Sequence, residues 1–188
     1  KNFFMIFSKT SIPELLIIQP NIHEDNRGYF IESYKYSEFE SNGLRTDFLQ
    51  QNQTKSSKGV LRGLHYQLNY GQGKLVWVSQ GKVMDIALDI RKDSPTFGCY
   101  ESIILDDESH KRFYIPEGFA HGFYVLSEKA IFQYMCTEIY HPEDEYGISW
   151  NDPDICIKWP DGDKLISDSD KQLPSLKEIS PKNLPTFK

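Results

Sequence analysis

Lys82-Val83-Met84-Asp85-Ile86-Ala87-Leu88-Asp89-Ile90 alternates with a period of two. Met84, Ile86, Leu88 and Ile90 fall on one side, with Val83, Asp85, Ala87 and Asp89 on the other. A helix would need apolar residues at i, i+3, i+4 and i+7, so the stretch reads as a strand, one face packed and the other carrying carboxylates. Shorter runs rich in Val, Ile, Tyr and Phe extend the pattern at residues 15–19, 29–34, 75–79, 100–105, 112–115, 122–126, 130–137 and 155–159. Gly81, Ser94-Pro95, Pro116-Glu117-Gly118 and His141-Pro142 punctuate them as turns. One short helix is predicted over 36–42, with Ser37 as its N-cap. Many short strands joined by turns predict an all-β sandwich, jelly roll or barrel.

The chain has 188 residues, and with roughly 150 residues per domain as the prior, one domain over 1–188 is expected. Residues 1–11 read as an N-terminal extension, and Met5 as a candidate natural start that would leave 1–4 upstream. After Trp159-Pro160 the composition turns polar. Residues 161–188 are expected to wrap the barrel or a partner subunit, with about the last ten disordered. Hydrophobic residues at 39% and charged residues at 26% exclude wholesale disorder. The apolar runs Leu15 to Ile18 and Leu75 to Val78 fall far short of the roughly 20 residues of a membrane helix. A net charge of -6 without any basic run excludes a nucleic-acid binder. Cys99, Cys136 and Cys156 have no CxxC spacing, and no secretory signal opens the chain, so a reducing cytoplasm is expected. Cys136 and Cys156 sit in apolar, strand-like segments and read as small buried hydrophobes.

Two polar clusters stand out. Leu61-Arg62-Gly63-Leu64-His65-Tyr66-Gln67 puts His65 and Gln67 on one strand face, and Ile115-Pro116-Glu117-Gly118-Phe119-Ala120-His121-Gly122-Phe123 sets a histidine at a turn into a strand. Together they resemble the two half-motifs of the cupin barrel, a jelly roll that often holds a metal between histidines of both halves. Here Gln67 stands at the second histidine position, and Asn69, Tyr70, Gly71 and Gln72 supply no carboxylate. His65 and His121 alone are too few for a closed zinc site and one short of the usual catalytic three, so no metal is expected. Without a metal, His65 is either a hydrogen-bonded structural histidine or a general base. The nearby cations Arg62 and Lys74 suit an anionic ligand or a developing oxyanion.

The resemblance extends much further. Asp25-Asn26-Arg27-Gly28-Tyr29-Phe30-Ile31-Glu32, Gln50-Gln51-Asn52, the stretch from Val60 to Gln67 and Gly73-Lys74-Leu75-Val76 resemble the dTDP-4-dehydrorhamnose 3,5-epimerase family. So do Asp89-Ile90-Arg91-Lys92-Asp93-Ser94-Pro95-Thr96-Phe97-Gly98, the stretch from Ile115 to Phe123, and Trp150-Asn151-Asp152 followed by Trp159-Pro160. The resemblance implies a cupin-type jelly-roll β-barrel with short peripheral helices and a C-terminal tail. It also implies a homodimer with exchanged N-terminal strands, a dTDP-linked 4-keto-6-deoxy sugar as substrate, and no metal or organic cofactor. By position it makes His65 the base, Asp170 its orienting carboxylate, Lys74 the cation stabilising the enolate, and Tyr134 the opposite-face acid. Arg27 and Arg62 match diphosphate contacts, while Gln50, Asn52 and Glu32 match phosphate or base contacts. Arg27 and Glu32 would act across the dimer. His121 would position the sugar, and Tyr140 and Trp150 match aromatic positions.

Asp85 is a rival partner for a histidine. His23 stands where members often carry an aromatic, and Ser169 replaces a common lysine. The implied function is 3,5-epimerisation in dTDP-L-rhamnose synthesis. A C3-only epimerase, an epimerase of another 4-keto sugar nucleotide, and a non-catalytic sugar-nucleotide-binding cupin are the alternatives.

Overall fold

A computed structural model describes residues 4–187. Residues 1–3, most of the stretch expected upstream of Met5, lie outside the described residues, as does Lys188. One six-stranded sheet runs β1 (Ile6–Lys9), β2 (Leu16–Gln19), β10 (Arg112–Ile115), β7 (Lys74–Gln80), β12 (Lys129–Cys136), β5 (Gln50–Ser57). A five-stranded sheet runs β13 (Glu145–Gly147), β6 (Leu61–Gln67), β11 (Phe119–Val125), β8 (Lys82–Asp89), β9 (Tyr100–Asp106). The two sheets enclose a core in which Val76, Phe113, Ile115 and Phe132 of the first meet Val83, Ala87 and Phe123 of the second. A separate hairpin pairs β3 (Ile22–Asp25) with β4 (Gly28–Ile31). The turn between them needs Gly28, whose φ of 124° suits only glycine. This is the cupin-type jelly roll that the resemblance implied.

Strand β8 forms as its alternation predicts, but both of its faces are buried. Val83, Asp85 and Ala87 point between the sheets. Met84, Ile86, Leu88 and Ile90 meet Ile148, Leu176, Leu184 and Trp159 in a second core. The C-terminal segment covers the outer face, so the carboxylate-bearing face is the interior one. Residues 155–159 are not a strand: Ile155, Ile157 and Trp159 pack irregularly onto that second core. Cys136 is buried as expected, whereas Cys156 is exposed, at a turn with φ 55°.

Helix α1 (Tyr36–Ser41) is capped by Lys35 and not by Ser37, and no side chain closes its N-terminus. The helix buries Phe39 against Leu75, Tyr114 and Ile18 on the outer face of the large sheet. Contrary to expectation, residues 184–187 are tied to the barrel by hydrogen bonds and packing. Lys92 N–H donates to the Pro185 carbonyl at 2.8 Å and Phe187 N–H to the Lys92 carbonyl at 2.9 Å. The Arg91 guanidinium lies over Phe119 at 4.4 Å and Phe187 at 4.9 Å. Among the described residues no helix is long and apolar enough to cross a membrane.

Candidate active site

A cavity of about 730 Å³ opens between the sheets at one end of the barrel. His65 on β6 and His121 on β11 face each other across one pair of the antiparallel ladder. Each histidine has its own carboxylate. His65 Nε2 lies 2.7 Å from Asp170 Oδ1, and the Gly63 N–H donates to Asp170 Oδ2 at 3.2 Å. His121 Nε2 lies 2.9 Å from Asp85 Oδ2. The rivalry left open by the sequence is thereby resolved: Asp170 pairs with His65, and Asp85 with His121.

Burial pushes the Asp170 carboxyl up. The hydrogen bond and charge of His65, the Gly63 N–H and Ser167 outweigh it and hold Asp170 below the usual carboxylate range. An ionised Asp170 accepts a hydrogen bond from the His65 ring and holds it in orientation. Asp85 differs: complete burial raises it, and His121 and Lys74 only partly offset the rise.

The large sheet supplies the facing wall. Lys74 on β7 and Tyr134 on β12 both line the cavity. Burial pushes the Lys74 ammonium below its ordinary value, against the opposing influence of Cys136, Glu145 and Asp85. Burial raises the Tyr134 phenol, so it keeps its proton well into alkaline solution; Asn52 and Arg62 pull the other way. The charged form of a cation with a lowered pKa is lost earlier as pH rises. On the role that the resemblance gives Lys74, turnover is expected to fall on the alkaline side below the ordinary lysine range, and Lys74→Arg is expected to move that limb upward. A pH–rate profile of both proteins checks this.

Strand β5, Gln-Gln-Asn-Gln-Thr-Lys-Ser-Ser, turns Gln50 and Asn52 into the cavity. Gln50 Nε2 donates to Asn52 Oδ1 at 3.0 Å, and Gln50 Oε1 accepts the Tyr140 N–H at 2.8 Å. Arg62 also lines the cavity, its Nε donating to Ser56 Oγ at 3.3 Å. Tyr140 sits at the rim and donates its hydroxyl to Glu145 Oε2 at 2.9 Å. Glu145 and Gln72, which also line the cavity, escaped the sequence reading. Glu145 belongs to the acidic run 143–145 after a proline, a pattern that normally marks a solvated turn.

Three expected positions lie elsewhere. Arg27 is exposed on the β3–β4 hairpin and pairs with Asp25. Glu32, just past that hairpin, is 3.8 Å from Lys35, and its Oε2 is buried without a hydrogen-bond partner. Trp150 lies in an outer groove, where its carbonyl accepts the Trp159 indole N–H at 2.7 Å. Among the described residues no three His, Cys, Asp or Glu side chains are grouped to hold a metal ion.

Two facing sheets with a histidine–carboxylate pair on one wall and a lysine and a tyrosine on the other define a cupin-type jelly roll equipped for acid–base chemistry. Known proteins narrow the class. The family profile described as dTDP-4-dehydrorhamnose 3,5-epimerase matches residues 9–178, and the chain belongs to that family of isomerases. The dTDP-4-dehydrorhamnose 3,5-epimerase of Methanothermobacter thermautotrophicus is 48% identical over 175 residues, covering 92% of this chain and 95% of that protein. A crystal structure of the Legionella pneumophila dTDP-6-deoxy-D-glucose-3,5-epimerase in complex with dTDP-4-keto-L-rhamnose superposes with a TM-score of 0.96. It is 47% identical, with 98% of this chain and 100% of that one covered. NovW, a 4-keto-6-deoxy sugar epimerase from the novobiocin cluster of Streptomyces spheroides, has a TM-score of 0.94 at 35% identity, covering 100% of this chain and 96% of its own.

Proposed function

We propose that this protein is a dTDP-4-dehydrorhamnose 3,5-epimerase, converting dTDP-4-keto-6-deoxy-D-glucose to dTDP-4-keto-L-rhamnose in dTDP-L-rhamnose synthesis. The observation that carries this reading is the placement of His65 and Tyr134 on opposite sheets around one cavity, with Lys74 beside Tyr134's strand. A C4 ketone acidifies the C–H bonds at C3 and C5. His65 takes one of these protons, and the electron pair moves onto the ketone oxygen as an enolate. Lys74 stabilises that oxyanion. Tyr134 then delivers its hydroxyl proton to carbon from the other side, inverting the centre. Exchange with solvent afterwards returns His65 to its neutral form and Tyr134 to its protonated form. Asp170 holds the imidazole in orientation and supports its charge.

Arg62, Gln50 and Asn52 bind the diphosphate and nucleoside, His121 positions the sugar, and Tyr140 lays its ring against the ligand. Arg27 and Glu32, away from this chain's cavity, complete the partner's site in a homodimer with exchanged N-terminal strands. The whole chain acts as one catalytic domain in the cytoplasm.

Proton NMR of dTDP-4-keto-6-deoxyglucose in deuterated water tests the assignment. Deuterium entering at both C3 and C5 with inverted product is expected. Entry at C3 alone selects a single-site epimerase, and no exchange selects a different sugar nucleotide or a binding protein. In the same experiment Tyr134→Phe is expected to slow formation of inverted product about 100-fold while sparing wash-out of substrate protons. Equal loss of both would remove Tyr134 as the acid.

A further inference from the structure

Gln67 stands where metal-holding cupins carry a histidine, and its side chain does not line the cavity. It is only 6% exposed, and its carboxamide is fully engaged. Nε2 donates to the carbonyls of Tyr70 at 2.7 Å and Ile139 at 3.2 Å, and Oε1 accepts the His141 N–H at 2.8 Å. The Ile139 carbonyl and the His141 N–H belong to the two peptide groups flanking the Tyr140 Cα. One carboxamide thus grips Tyr140 from both sides, as a neighbouring strand would. The third link, to Tyr70, ties in the loop after β6. Tyr140's own N–H is held by Gln50 and its hydroxyl by Glu145, leaving a ring 48% exposed at the cavity rim. His65, two residues away on the same strand, is held independently through Asp170.

We infer that Gln67 is a positioning residue that fixes the Tyr140 ring at the pocket mouth, so that it governs ligand affinity and not the proton-transfer steps. This rests on reading the cavity as a nucleotide-sugar site. Without its amide hydrogens, the Tyr70 and Ile139 carbonyls lose these donors and the Tyr140 segment is no longer pinned.

The test uses Gln67→Glu, which keeps the shape and the acceptor but removes both donors when ionised, and Gln67→Met, which removes all three bonds. For either folded variant, the KM for dTDP-4-keto-6-deoxyglucose and the Kd for dTDP by calorimetry are expected to rise about tenfold, with kcat within twofold. In a Tyr140→Ala background the same substitutions are expected to add nothing further. A fall in kcat at unchanged KM, or effects of Gln67 and Tyr140 that simply multiply, overturns the inference. Wild-type protein that does not bind dTDP defeats the nucleotide reading, and the inference with it.

Discussion

His65→Ala is expected to lower kcat by about three orders of magnitude, the middle of the range for losing a positioned general base. The substitution removes the one imidazole paired with Asp170, while His121 is paired with the buried Asp85 instead. Nucleotide binding is expected to stay within about threefold of wild type, because Arg62, Gln50 and Asn52 come from contacts that do not involve His65. Single-turnover kinetics together with dTDP titration separates the two effects. A variant retaining more than about a tenth of wild-type turnover would mean another group takes the proton. In that event Tyr134 and His121 become the groups to substitute next.

Arg91→Ala is expected to cost about 3–5 kcal/mol of stability. Asp89 is completely buried and accepts hydrogen bonds from the Arg91 backbone N–H at 3.0 Å, Nε at 2.9 Å and Nη2 at 2.8 Å. Ser94 Oγ and Thr96 Oγ1 add one each at 2.6 Å. Without the guanidinium, a buried carboxylate keeps only neutral donors, and Phe119 and Phe187 lose the cation between them. For a chain of this size the loss corresponds to a fall in Tm of roughly 10 °C. Urea denaturation at fixed protein concentration measures it, and a change below about 1 kcal/mol would show the network to be dispensable. Burial pushes Asp89 up, but the bonds from Arg91, Ser94 and Thr96 prevail and hold it below the ordinary carboxylate value. A depressed carboxyl contributes stability above its unfolded-state pKa and loses it as pH falls through the folded value. The difference between wild type and Arg91→Ala is therefore expected to narrow in acid.

What the sequence disclosed depended on how each element meets solvent. Strands with one or both faces in the core, such as β8, β10 and β12, announce themselves by apolar alternation. Strand β5 has no apolar residue at all, because one face meets water and the other lines a polar pocket. Its Gln50 and Asn52 could be found only through a family motif. Residues 155–159 failed in the opposite sense: the apolar spacing is real, but it serves an irregular cover over β8. Pairing His65 with Asp170 could not be read from local pattern, since the contact spans 105 positions. Arg27 and Glu32 were proposed to act across a dimer, and a single chain leaves them outside its own cavity.

That long reach of the Asp170 turn bears on how the protein is made. During synthesis His65 emerges with both sheets still to be completed, and its carboxylate follows only after every strand has left the ribosome. A nascent or clipped chain lacking the segment past residue 165 carries a His65 imidazole without Asp170 and a second core without Leu176, Ile179 and Leu184. Catalytic competence on the proposed chemistry therefore arrives last, coupled to the same segment that shields the second core. A chain that ends before this segment is expected to lack turnover and to expose part of the second core's apolar surface.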